Sequence, residues 1–221
     1  MDDLTLLLLI IALPMIAQVY ISVSYNTYLK KKVRNNMNGY DTARKILDAN
    51  GLNDLLIVET GGNLTDHYDP KRKVIRLSRN IYHLDTISSV AVAAHECGHA
   101  IQDKEGYFFL KFRTFIFPLV SIMSRLSYII IFLGFLLEIV NLLWLGIICV
   151  GAGVLFQIVT LPVEIDASKR ALKQLEDLNI LDSEETSGAK TVLRAAALTY
   201  VAGTLAELLQ LLRLINIVRR D

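Results

Sequence analysis

The chain has 221 residues, enough for one compact domain or for a smaller domain with membrane anchors, and too few for two large domains. Hydrophobic residues make up 53% and charged residues 20%, which excludes disordered and collagen-like classes. With 23 Lys and Arg against 22 Asp and Glu the net charge is +1, so no overall field draws polyanions and nucleic acid is not an expected partner.

No charge occurs between Asp3 and Lys30, and Leu4 to Tyr25 is long enough to cross about 30 Å of hydrocarbon at ~1.5 Å per residue. Residues 4–28 are therefore expected to form a first transmembrane helix, kinked at Pro14. A cleaved signal fits less well, because the basic residues follow the apolar run and no small-residue cleavage site comes after it.

Residues 35–110 have soluble-domain composition and read as helix, small sheet, helix. Asp41 is the expected cap of a helix carrying Ala43, Ile46 and Leu47, with Gly51 at its C-terminal end. Leu55–Glu59, Leu64–Tyr68 and Val74–Leu77 read as three short strands separated by turns at Gly61-Gly62 and Asp69-Pro70-Lys71-Arg72. A meander is expected. In it Val74–Leu77 is either an edge that an extended peptide can join or simple sheet core. A second helix starts at Asp85 or Ser88 and ends near Gly106.

Residues 114–163 are expected to form a membrane hairpin: 114–137 is interrupted only by Arg125, 139–163 is uncharged, and the turn falls near Glu138 and Asn141. The Arg125 stem is expected to snorkel toward the headgroups, the alternative being a pair with a buried carboxylate. Basic residues cluster at Lys30–Lys32 and Arg34, at Lys111 and Arg113, and at Lys169, Arg170 and Lys173, all on one side of the expected spans. The other side holds Asp2, Asp3, Glu138 and Asn141, so the positive-inside rule makes the basic side cytoplasmic. Residues 164–221 are then a cytoplasmic or membrane-associated helical segment. Its apolar part, Ala195–Val218, is expected to pack on the other helices or dip into the interface, because crossing would carry Arg219 and Arg220 to the far side.

The second helix of the polar segment contains His95-Glu96-Cys97-Gly98-His99. Two histidines four apart project from one helical face and can share a metal, for which Zn²⁺ suits neutral imidazoles. Glu96 points to the neighbouring side, where it can take a proton from an activated water and return it to a leaving amine. A third ligand is needed, and Glu164 and Asp166 emerge from the third apolar span on the side of the histidines. Glu164 is the preferred ligand; Asp166 can instead orient a ligand histidine. Candidates for stabilising an oxyanion are His67, Tyr68, Arg170, Arg194 and Tyr200, with His67 and Tyr200 named as catalytic candidates. His83 reads as a surface residue. Cys97 and Cys149 read as free thiols, one packing within the helix and one filling a membrane span.

The motifs LTDHYDP at Leu64–Pro70, VAAHECGHAIQ within Val90–Gln102, LPVEIDA at Leu161–Ala167 and AAALTYV at Ala195–Val201 together resemble the YugP-like family of membrane zinc metallopeptidases. The resemblance covers nearly the whole chain. It implies zinc ligands at His95 and His99, a catalytic Glu96 and, more loosely, a ligand at Glu164. The chain also looks like the HtpX-type membrane proteases, where an aspartate follows the third ligand by four residues; here that position is Ser168.

These features lead to a mainly α membrane protein with three or four transmembrane helices and a small cytoplasmic α+β, zincin-like insertion. The expected function is a multi-pass cell-membrane endopeptidase with one Zn²⁺ per chain and a cytoplasmic active site. Its expected partners are the lipid bilayer, a peptide or membrane-protein substrate, and a partner membrane protein or second copy. The competing reading is a non-catalytic, zinc-bearing adaptor for a partner protease. A transporter or channel component is disfavoured, because Glu138 and Glu207 are the only intramembrane acids available to Arg125.

Overall fold

The computed structural model describes residues 3–220; Asp2, used in the topology argument, and the Arg220 side chain lie outside the described part. The described chain is mostly helical, with one small sheet. It divides into two units, and α1 (Asp3–Leu29), α6 (Val140–Asp177) and α7 (Ser183–Arg220) contribute residues to both.

One unit comprises Val19–Tyr107 and Val163–Ala197. Its helix α2 (Gly39–Ala49) is capped by Asn38, whose side chain accepts the Asp41 N–H at 2.8 Å. Asp41, the expected cap, therefore sits in the first turn, where a carboxylate favours the positive end of the helix dipole. Ala43, Ile46 and Leu47 are fully buried, as their spacing predicts. The strands β1 (Leu56–Thr60), β2 (His67–Asp69) and β3 (Val74–Ser78) form a sheet ordered β1-β3-β2. This corrects the meander: β3 is central, pairing parallel with β1 and antiparallel with β2. The physical reason is that β3 carries apolar side chains on both of its faces, with Val74, Ile75 and Leu77 all buried, which suits a central strand and not an edge.

A short α3 (Arg79–His83) leads to α4 (Ile87–Glu105). The α4 cap is Thr86, whose hydroxyl accepts the Ser89 N–H at 3.3 Å, so neither Asp85 nor Ser88 fills that role. Asp85 instead pairs with Lys32 at 2.9 Å, and the Ser88 hydroxyl donates to the Tyr25 carbonyl at 2.8 Å. At the other end Gly106 adopts the left-handed conformation, φ 70°, that terminates helices. The core gathers Ile46, Leu47, Ile75, Val90, Leu175 and Val192, so α2, the sheet, α4, α6 and α7 all share it.

The other unit contains Phe108–Pro162 with parts of α1 and α7. Here α5 (Phe108–Leu136) and α6 are joined by a tight turn in which Glu138 has a positive φ of 54°. The two helices approach closely: Gly146 leaves no room for a Cβ beside Ile131. Arg125 is exposed on α5 and has no carboxylate partner among the described residues. The second half of α7 packs here, with Leu214 in a buried cluster with Ile131, Leu143, Ile147 and Val150. Four helices, α1, α5, α6 and α7, are long and apolar enough to cross a membrane. The C-terminal helix thus packs on α5 and α6, as expected, and α7 is also long and apolar enough to cross a membrane. Arg213 within it faces Asp3 at 3.8 Å, which offsets part of the cost of its charge.

Candidate metal centre

The helical spacing of His95 and His99 places their rings on one face of α4, with centroids 4.7 Å apart and planes at 82°. The third acidic group arrives on α6. Its approach depends on Gly98, where a Cβ would lie 2.4 Å from the Ala167 carbonyl oxygen, so the α4 and α6 backbones touch at this point. One turn away along α6, Glu164 is 3% exposed and places Oε2 3.3 Å from His95 Nε2 and 3.5 Å from His99 Nε2. The three candidate ligand atoms lie within 4.8 Å of one another.

These distances fit a metal. Zinc with bonds of ~2.0 to 2.1 Å in a tetrahedron separates its ligand atoms by about 3.4 Å, and two imidazoles with one carboxylate is a donor set used by catalytic zinc sites. Burial pushes the Glu164 carboxyl up, but hydrogen bonds to His95 and His99, and the positive charge those rings can carry, outweigh it and hold the group well below the usual carboxylate range. The carboxylate is thus kept in the form that ligates cations.

The rings are oriented from behind. Gln102, fully buried, donates from Nε2 to the Val163 carbonyl and to Asp166 Oδ2, both at 2.8 Å. That leaves Oε1 as an acceptor, 3.0 Å from His99 Nδ1. His99 therefore carries a proton on Nδ1, which would leave Nε2, the atom facing Glu164, as the one that ligates a metal ion. Ser168 Oγ holds His95 Nδ1 at 3.2 Å. The expectation that Asp166 bonds a ligand histidine directly is corrected: it anchors Gln102 and accepts from Arg170 Nε at 2.5 Å, acting on His99 at one remove.

Glu96 lies next to His95 with 6% of its surface exposed. Burial pushes its carboxyl up to about 7; His95 pulls the other way, Glu164 and Asp66 add to the rise, and the Tyr68 N–H lowers it. Asp66 itself is raised by burial, against the hydrogen bonds it accepts from the Ser78 N–H at 2.6 Å and the Ser78 hydroxyl at 3.1 Å. Cys97 faces the opposite side of α4, fully buried, with Sγ 3.6 Å from the Ala43 carbonyl. Burial pushes its thiol far above the usual range.

The other candidates are distributed. His67 is exposed on β2, with Nδ1 2.8 Å from the Thr65 carbonyl. The Tyr68 hydroxyl donates to Asp103 at 2.7 Å, and Arg170 binds Glu105 at 2.6 Å as well as Asp166. Arg194 lines a separate cavity between α6 and α7, and Tyr200 stands on the part of α7 grouped with the apolar helices. His83 is an exposed partner of Glu59 at 2.8 Å. Sequence reasoning missed Gln102, although three residues after His99 it shares that histidine's face. It also left Ser168 without a role, although four residues after Glu164 it shares the face of that glutamate.

The model of the family described as "Putative neutral zinc metallopeptidase" matches residues 4–219. The chain belongs to that family. It is 44% identical over 201 residues to the "Putative membrane protease YugP" of Bacillus subtilis (strain 168), covering 91% of this chain and 89% of that protein. No solved structure matches the chain. Family membership, the four span-length helices and the placement of His95, His99 and Glu164 agree on a membrane protein of the zinc metallopeptidase family with a site able to hold a metal ion.

Proposed function

We propose that the protein is a membrane-embedded, zinc-dependent endopeptidase that cleaves membrane proteins or unfolded segments near the bilayer, with its site on the cytoplasmic side. The observation that carries this reading is the Glu164 carboxylate meeting both histidine Nε2 atoms beside a buried glutamate. His95, His99 and Glu164 would hold one zinc ion, which supplies Lewis acidity toward water and a peptide carbonyl when bound. Glu96 is the general base. A carboxyl pushed to about 7 both accepts a proton from the attacking water and releases it to the departing amine at neutral pH. Gln102 and Ser168 hold the Nδ1 side of the two rings, which would keep both Nε2 atoms placed for the ion without ring reorganisation. An extended peptide would add to the outer side of β2, the edge strand carrying Tyr68, and His67 on that strand would steady the developing oxyanion.

The deciding experiment compares wild type with Glu96→Gln on a membrane-anchored model substrate, with bound zinc measured in the same samples. Loss of cleavage with zinc retained supports the peptidase. Unchanged cleavage would refute Glu96 as the base, and unchanged binding of a partner protease by a chain with no cleavage of its own replaces the peptidase with the adaptor reading.

A further inference from the structure

Between the stretches of α6 and α7 that belong to the unit built around α4 lies a cavity of about 510 Å³ whose lining includes none of His95, His99 and Glu164. Four cations line it, Lys169 and Lys173 from α6 and Lys190 and Arg194 from α7, against the single carboxylate of Glu176. Lys173 has a partner outside the lining, Asp177 at 2.6 Å. Lys169, Lys190 and Arg194 have no carboxylate partner among the described residues. Apart from Ser168 the rest of the wall is apolar, chiefly Leu172 and Leu193. Like charges brought together on facing helices repel one another unless an anion sits among them.

Each cation has a definite place relative to the apolar sequence. Lys169 is the first basic residue after the uncharged run 139–163, and Arg194 is the last charge before the uncharged run 195–206. Were α6 and α7 to enter a bilayer at the ends of these runs, their basic residues would line a shared hollow near the headgroups. A volume within the range of small-molecule sites, an excess of positive charge and apolar flanks fit a phosphate ester carrying an apolar tail. Arg194 adds the planar fork that suits phosphate oxygens.

We propose that this cavity is a binding site for the headgroup of an anionic phospholipid, with the phosphate among Lys169, Lys190 and Arg194 and the glycerol against Leu172 and Leu193. Ser168, which also lines the cavity, bonds His95, so the lipid site and the metal centre share a residue. The site stands independently of the peptidase reading, since it requires only that α6 and α7 enter a bilayer.

The test titrates the full chain, in neutral detergent micelles, with fluorescent-tailed phosphatidylglycerol and with the phosphatidylcholine analogue. Wild type should bind phosphatidylglycerol at least tenfold more tightly. The Lys190→Gln/Arg194→Gln double variant should lose about 30-fold for phosphatidylglycerol and much less for phosphatidylcholine, whose choline offsets the phosphate charge, each basic side chain near an anionic surface contributing roughly fivefold. The charge-keeping variant Lys190→Arg/Arg194→Lys should retain the preference. Should the double variant not fold, Lys169→Gln decides alone, with an expected loss of about fivefold. The proposal is overturned if wild type shows no preference between the lipids, or if a folded glutamine variant keeps its affinity. It also fails if Lys30→Gln/Lys31→Gln lowers binding as much, which would mean diffuse surface attraction. Displacement by inorganic phosphate at concentrations near those of the lipid would make free phosphate the occupant and likewise overturn it.

Discussion

Gly98→Ala should disable the metal centre without touching a ligand. The added methyl carbon would start 2.4 Å from the Ala167 carbonyl oxygen, 3.0 Å from its carbonyl carbon and 3.1 Å from its Cα, all of them backbone atoms that cannot rotate away. Ordinary carbon–oxygen contact needs roughly 1 Å more, so α4 and α6 must separate by about that amount at this crossing. Glu164 sits one turn along α6 and moves with the helix, whereas metal bonds tolerate only about 0.2 Å. Overpacking of this kind costs about 1–3 kcal/mol of stability. Zinc affinity should fall at least as far as it does on loss of an orienting partner, about 10- to 100-fold. Competition against a chromogenic chelator on purified protein measures the affinity, and thermal unfolding of the metal-free protein measures the stability. Wild-type zinc affinity in a well-folded Gly98→Ala protein would show that the close crossing does not position Glu164, and the reasoning would be wrong.

Four other outcomes follow from the same geometry. Gln102→Ala frees the His99 ring and leaves Asp166 with one donor fewer, so zinc affinity should drop about 10- to 100-fold by the same chelator assay, while Gln102→Glu should retain part of it. Removing zinc should lower the unfolding temperature, because free metal at 100 times its dissociation constant stabilises the folded form by about 2.7 kcal/mol; a chelator that leaves the transition unmoved contradicts the ligand set. His67→Gln should reduce kcat on a peptide substrate by about 10²-fold with KM nearly unchanged, the pattern of a lost transition-state contact. Ile75→Ala, at a fully buried site on the central strand, should cost about 2–5 kcal/mol in denaturant unfolding and leave zinc stoichiometry at one per folded chain.

The parts of this molecule that local chemistry determines are readable in its residues. The uncharged runs, the turn near Glu138, the helix carrying His95 and His99, and its glycine terminus at Gly106 all follow from periodicity and composition. Glu164 follows the third apolar run on the expected histidine side, and the structure brings its oxygen to both rings. What the pattern does not carry is strand order. Three short strands with turn residues between them are equally compatible with a meander, and only the double-sided burial of Val74, Ile75 and Leu77 puts β3 in the middle. The caps fall a few residues from the expected positions because Asn38 and Asp41, or Thr86 and Ser88, offer similar side-chain acceptors, and the choice rests on backbone geometry. Gln102 and Ser168 acquire meaning only once α6 lies across α4, a long-range contact that no window of sequence contains.

Cys97 gives the molecule a built-in clock. Its sulfur is sealed against the Ala43 carbonyl between α2 and α4, and its proton is held tightly, so an alkylating reagent finds no thiolate while those helices stay together. The speed of labelling at that atom then counts how often the two helices part, in the same turn that carries the imidazoles and without any substrate present.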